Sequence, residues 1–309
     1  QPMRMTTVQT LPALGFVDSE SSRFSAFRCS SAGRDFIEEA CQGYHPFNRT
    51  VVDHLGFWVS GHENRVNSDK LRDALSPLTP LKDKAIPLLR ERLLQGGRES
   101  SEDKFRRRNA LAWVEKLRTT KPNQLTWDMR PEEITKSHWH DLKVGALFFR
   151  AREAAITVLD ALEAHIGNQA TGQSYSLKQN IPEPIQPLLM DLKTKAKAFI
   201  DAQHHDRDAN DFCLECNGTA EDVLRSLVNR DRQVLRTVGD EIKPGPAFLG
   251  TGFTPENSSD EIPEDSSNST GILLPRDISY RMRNLYLLNL DMHGELNQWL
   301  NPPDSEAKT

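Results

Sequence analysis

The feature that most constrains the fold is a long apolar seam between Asp141 and Ile166. Apolar residues recur there at helical spacing, and charged residues occupy the other side of the same helix. Such a helix extends for about 39 Å at roughly 1.5 Å per residue, so one neighbour cannot cover its apolar side. The sequence therefore predicts an all-α fold, a helical bundle around a central helix at 141–166. The seam consists of Val144, Phe148, Ala151, Ala155, Val158, Leu162 and Ile166.

The flanking segments suggest four regions. Residues 1–100 are interrupted by prolines and predict an N-terminal lobe of short helices. Residues 101–245 carry further amphipathic patterns and predict the helical bundle. Residues 246–275 are rich in proline, serine and acid, which is typical of a flexible loop. An amphipathic helix within 276–309 should dock on the bundle, because it has no other way to bury its apolar face.

The residue patterns of three shorter segments predict two further helices and one short strand. Residues 48–61 fit an amphipathic helix with Asn48 as its N-cap. Residues 219–238 fit one continuous helix whose apolar face is interrupted by Asp231. The letters FSAFRC suit a short strand. The core side of the 48–61 helix is expected to consist of Val51, Val52, Leu55, Trp58 and Val59.

Several classes of protein are disfavoured by the sequence. No apolar run approaches roughly 18 residues, so no membrane span is expected. Nucleotide-binding glycine motifs and common hydrolase motifs do not occur. Four cysteines are too few for a disulfide scaffold, which favours reduced thiols and a cytoplasmic location. Secretion stays open as an alternative because Asn-x-Ser/Thr triplets begin at Asn48, Asn217, Asn257 and Asn268.

A basic segment lies inside an acidic chain. Residues 82–152 contain 17 Lys and Arg against 10 Asp and Glu, whereas the whole chain has a net charge of −5. Such a segment can bind an acidic protein partner or nucleic acid, and a solvated or self-paired helical face is the simpler interpretation. The strongest candidates for binding are Lys104, Arg106, Arg107 and Arg108.

Candidate metal ligands crowd into the stretch QHHDRDANDFCLECN, residues 203–217. Cys213 and Cys216 have the Cys-x-x-Cys spacing of a zinc site, and His204 and His205 precede them. A second Cys or His pair at zinc-finger spacing does not occur, so a pair of reduced thiols beside a polar connection is the simpler interpretation. A redox pair lacks the surrounding βαβ pattern.

Two His-Asp dipeptides offer another interpretation of the same region. His140-Asp141 and His205-Asp206 are similar to the ligand pairs of all-helical HD-type phosphohydrolases, although the flanking residues do not extend the similarity. In such a site a divalent metal activates water as the nucleophile. The candidate ligands are His165, His204, His205, Asp206 and Asp231.

The function that fits these patterns best is a non-catalytic helical interaction module, or an accessory subunit of a larger assembly. Its expected partner is a protein, with nucleic acid as a second partner through the basic segment. No cofactor is expected under this hypothesis. The alternative is a metal-dependent hydrolase of the HD type with a divalent metal such as zinc.

Overall fold

The fold is mostly helical in a computed structural model of the chain, in which helices hold 60% and strands 6% of the residues that the structure describes. The predicted all-α class is therefore confirmed. Most of the predicted acidic loop and the end of the chain lie outside the described residues. The structure describes residues 10–21, 23–76, 78–97, 99–120, 125–169, 174–250 and 274–300.

The N-terminal half consists of short helices and one small hairpin. Residues 10–14 are helical, and a 3₁₀ turn at Pro46–Asn48 precedes α2. Strand β1 (Val17–Ser19) pairs antiparallel with β2 (Phe27–Cys29), so the strand predicted within FSAFRC is present. The helices are α1 (Ser31–Ala40), α2 (Val51–Val59), α3 (Asp69–Leu75), α4 (Ala85–Gln95) and α5 (Ser101–Thr120).

The C-terminal half is built on the longest helix, α6 (Lys136–Gly167). A three-stranded antiparallel sheet with the order β3-β5-β4 packs beside it. Its strands are β3 (Tyr175–Ser176), β4 (Leu235–Val238) and β5 (Glu241–Pro244). The remaining helices are α7 (Gln186–Asp201), α8 (Arg207–Cys216), α9 (Ala220–Asp231), α10 (Tyr280–Met292) and α11 (Leu296–Leu300).

The predicted central helix is present and begins earlier than expected. Thr135 is its N-cap, because the Thr135 hydroxyl accepts a hydrogen bond from the His138 backbone N–H. The most extensive contact of α6 with another helix is with α7. Six of the seven predicted seam residues are buried and Phe148 is partly buried.

Two hydrophobic cores share this helix. The first core joins the seam of α6 to α7, α8, α9 and the three-stranded sheet. The second core joins α4, α5 and α10 to the first turn of α6, where Trp139 packs edge-on against Trp113 at 5.6 Å between ring centroids. Helix α6 therefore contributes to both cores.

A polar network fixes the C-terminal helix α10 on α5. The Glu115 carboxylate accepts hydrogen bonds from Arg118 at 2.9 Å and from the buried Asn289 amide at 2.6 Å. His293 lies 3.1 Å from the same carboxylate, and Arg118 also donates to Glu295 at 2.6 Å. Hydrogen bonds to a charged group are stronger than neutral ones, so this network adds directional contacts to the apolar packing of α10.

The continuous helix predicted at 219–238 is wrong in its last third. Helix α9 ends at Asp231 because Arg232 adopts a left-handed conformation, with φ of +55°. The Asp231 carboxylate then accepts the backbone N–H groups of Val234 and Leu235 at 3.0 and 2.9 Å. The following residues form β4 instead, with Leu235 buried and Val238 exposed.

Candidate functional site

The histidine-rich stretch forms the turn between α7 and α8. Gln203 has a positive φ of +54° just after α7, and Asp206 caps α8 by accepting the Ala209 backbone N–H. The Nδ1 atom of His204 accepts the Asp206 backbone N–H at 3.2 Å. Nε2 therefore carries the proton of a neutral imidazole and lies 3.4 Å from Asp141. Both ring nitrogens of His204 are engaged within the protein, which disfavours a role as general base.

Asp141 ties this turn to the rest of the bundle. Its other carboxylate oxygen accepts a hydrogen bond from Arg106 on α5 at 2.7 Å, and Arg106 also pairs with Glu102. Burial and the Arg106 charge lower the pKa of the neighbouring His138, against the opposing effect of Asp141. The chain of contacts from Arg106 through Asp141 to His204 therefore connects α5, α6 and the α7–α8 turn.

The candidate metal ligands do not converge. His204, His205 and Asp206 share the turn, whereas His165 packs edge-on against Tyr175 at 6.1 Å near the other end of α6. Asp231 is occupied with backbone N–H groups of the turn before β4. Within the described ranges, no group of three or more His, Cys, Asp or Glu side chains is placed to hold a metal ion. The metal-site hypothesis thus gains no support from the geometry.

The two thiols of the Cys-x-x-Cys pair face the first core from α8. Both side chains are buried. Burial raises the pKa of Cys213 to about 11 and, together with the neighbouring Cys213 thiol, raises that of Cys216 to about 12. Zinc binds the thiolate form, and these thiols are protonated at neutral pH. Their surroundings are those of small core residues.

The candidate basic residues divide into two pairs. Arg106 is held by Asp141 and Glu102, and Arg107 donates to the backbone oxygens of Leu93 and Gly96. Lys104 and Arg108 form no ion pair with any residue that the structure describes. Other cations of the basic segment are also paired with carboxylates, so much of its charge is neutralised locally. These cations are Lys116, Arg118, Lys143, Arg150 and Arg152.

A groove of about 570 Å³ opens beside the histidine turn. Phe148 lines it, with the ring centroids of Phe199 and Phe212 each 5.7 Å from that of Phe148. Arg230 lies over the Phe212 ring at 5.4 Å. The other lining residues are Asp141, Val144, Gly145, His204, His205, Asp206, Asp208 and Ala209.

Exposed apolar side chains are concentrated in the N-terminal lobe. Among the described residues, seven of the sixteen exposed large hydrophobic residues lie between positions 52 and 78. We call these seven the N-terminal apolar surface. They are Val52, Phe57, Trp58, Val59, Val66, Leu75 and Leu78.

Part of this surface was expected to lie in the core, and that prediction is wrong. Val51 is buried as predicted, but Trp58 and Val59 are 48% and 80% exposed. The N-cap is Thr50 rather than Asn48. Helix α2 carries apolar residues on all of its sides, and this all-round pattern in a nine-residue surface helix was the available signal for an exposed binding face.

No protein-family model, curated protein or solved structure matches this chain. None of the described helices combines the length and apolar character needed to cross a membrane.

Proposed function

We propose that this chain is a non-catalytic protein-binding module that uses the N-terminal apolar surface as its docking face. The observation that carries the proposal is the concentration of exposed apolar side chains between positions 52 and 78. Exposed apolar residues scattered singly are ordinary, whereas a contiguous apolar patch marks an interaction site, and the proposal takes these seven residues of one lobe as such a patch. Aromatic side chains such as Trp58 and Phe57 are also enriched where protein partners bind most tightly.

The lobe that presents this surface is held in shape by its own contacts. Helices α2 and α3 both pack against the 3₁₀ turn at Pro46–Asn48. Phe47 adopts a positive φ of 50°, stacks on the buried His54 and receives the Arg65 guanidinium on its ring at 4.5 Å. A bulky residue with positive φ costs about 1–2 kcal/mol, so surrounding contacts must impose it. A preformed surface loses less entropy when a partner binds.

A buried carboxylate adds to this preorganisation. Glu63 is 8% exposed and accepts hydrogen bonds from Arg49 and Arg65, each at 2.9 Å. Arg49 in turn lies over the Phe57 ring at 4.7 Å. Arg49, Glu63 and Arg65 beside the docking face are therefore engaged with one another. A cytoplasmic location belongs to the same proposal, in keeping with four free cysteines.

The other candidate functions have weaker support. Nucleic-acid binding would depend on Lys104 and Arg108, because Arg106 and Arg107 are engaged within the protein. A metal-dependent hydrolase would need ligands that the described part of the chain keeps apart. The protein-binding proposal requires no rearrangement of these groups.

The test compares proteins retained from a cell extract by the wild type and by the double variant Trp58→Arg/Val59→Arg. The matched control is Met190→Arg, which replaces an apolar residue of α7 that is also exposed. We expect a partner that the wild type and the control retain, even at high salt, and that the double variant loses. Circular dichroism checks that all three proteins are folded.

Two results would contradict the proposal. The first is the same set of retained proteins for the wild type and the double variant. The second is a partner that is released by moderate salt or by nuclease, since charge-based binding to nucleic acid falls steeply with salt.

A further inference from the structure

The groove beside the histidine turn owes its opening to a glycine in the middle of α6. Glycine inside a helix is less stable than alanine by about 1 kcal/mol. A Cβ atom at position 145 would meet nothing within 4 Å, so close packing does not require Gly145. The missing side chain leaves space between Asp141 and Phe148, which line the groove one helical turn to either side.

The floor of this groove is aromatic. Phe148 and Phe212 are partly exposed and meet at 5.7 Å in an edge-to-face arrangement, above the buried Phe199. A volume of about 570 Å³ is within the range of small-molecule sites. Aromatic faces attract cations as well as apolar groups. The Arg230 guanidinium over Phe212 is an example of this attraction within the molecule itself.

The charge at the mouth of the groove is negative. Asp206, whose carboxylate also caps α8, and Asp208 are exposed there and form no ion pair with the residues that the structure describes. The other charged groups of the groove are already compensated. Arg106 neutralises Asp141, and Glu215 binds Arg230 from outside the groove at 2.9 Å. The remaining charge therefore complements a cation.

We propose that this groove binds a small organic cation, an amine attached to an aromatic body. The ring of the ligand lies on Phe148 and Phe212 in the space that Gly145 leaves open. The ammonium group points towards Asp206 and Asp208. This site is separate from the N-terminal apolar surface, so its existence does not depend on the protein-binding proposal.

Phenethylamine is a suitable probe, with the neutral 2-phenylethanol and the anionic 3-phenylpropanoate as comparisons. We expect saturable binding of the amine in the millimolar range by ligand-observed NMR. Binding of the alcohol should be about tenfold weaker, because it lacks the charge-based attraction, and the anion should not bind. An amine that binds no better than the alcohol, or shows no saturation, would overturn the proposal.

Two substitutions locate the binding to the groove. Gly145→Leu fills the opening and should abolish amine binding, whereas Gly145→Ala keeps most of the space and should retain it with a more stable helix. Asp208→Asn lies on the exposed first turn of α8 and should reduce the preference for the amine over the alcohol by about threefold or more. Unchanged amine binding by folded Gly145→Leu, or an unchanged preference in Asp208→Asn, would refute the assignment.

Discussion

Glu115 joins α10 to α5, and we predict that Glu115→Gln lowers the free energy of unfolding by about 2 kcal/mol at pH 7. Burial alone would raise the pKa of Glu115. Hydrogen bonds from Asn289, Arg118 and His293 outweigh that effect and lower the pKa to about 2, against an ordinary value of 4.5. A shift of this size corresponds to about 3 kcal/mol. The expected loss of unfolding free energy is smaller than this, because the Glu115 side chain is 30% exposed and water screens its charge.

The stabilisation by the Glu115 carboxylate should depend on pH in one direction. A carboxylate with a lowered pKa stabilises the folded state fully above its unfolded pKa, and the contribution is lost as the pH falls through the folded pKa. The part of the difference in unfolding free energy between wild type and Glu115→Gln that comes from the Asn289 and Arg118 contacts should therefore be constant from about pH 8 to about pH 5, whereas His293 adds a charge only when it is protonated. The difference should shrink as the pH falls from 4.5 towards about 2.

Urea unfolding followed by tryptophan fluorescence measures this difference, because Trp113 and Trp139 lie in the core that α10 covers. The matched control is Asp191→Asn on α7, whose carboxylate pairs with Lys195 at the surface. Such a pair contributes about 0–1 kcal/mol. A Glu115→Gln variant that matches this control, or a difference that does not change down to about pH 3, would refute the reasoning.

Three further outcomes are expected from the interior of the fold. Burial, with the charges of Glu163 and Glu153, raises the pKa of Asp160 to about 6, so ionisation above that pH costs stability. Asp160→Asn should stabilise the protein by about 1–2 kcal/mol at pH 7 and by nothing below about pH 4, which calorimetry at the two pH values can check. Leu162→Ala in the first core should cost about 3–5 kcal/mol in urea unfolding, and the exposed Leu214→Ala should cost under about 0.5 kcal/mol. In native protein at about pH 8 a disulfide dye should modify the exposed Cys29 and spare Cys213 and Cys216 until urea unfolds the chain, and rapid reaction of all four thiols would contradict their burial.

The central helix was predictable because its signal is long and regular. The spacing from Val144 to Ile166 repeats over several turns, and no strand pattern competes with it. The end of α9 was not predictable in this way. The apolar spacing continues past Asp231, and only the left-handed conformation of Arg232 and the capping by Asp231 redirect the chain into β4.

The sites were harder to predict than the fold, for two reasons. The His, Asp and Cys residues of the stretch 203–217 indicate candidate metal ligands. Whether their side chains meet at one point depends on the directions of the helices, which the spacing of residues in the sequence does not give. The N-terminal apolar surface was missed because Trp58 and Val59 have a helical spacing that also suits a core. The groove depends on Phe148, Phe199 and Phe212, which come from three different helices.

Helix α6 belongs to two cores at once, and this affects how the molecule unfolds. Trp139 anchors its first turn in one core, while Leu162 and Ile166 anchor its far end in the other. Neither core can lose its packing without exposing one end of α6, which both cores share. We therefore expect one cooperative melting transition, with the slowest-exchanging amide protons along the middle of α6.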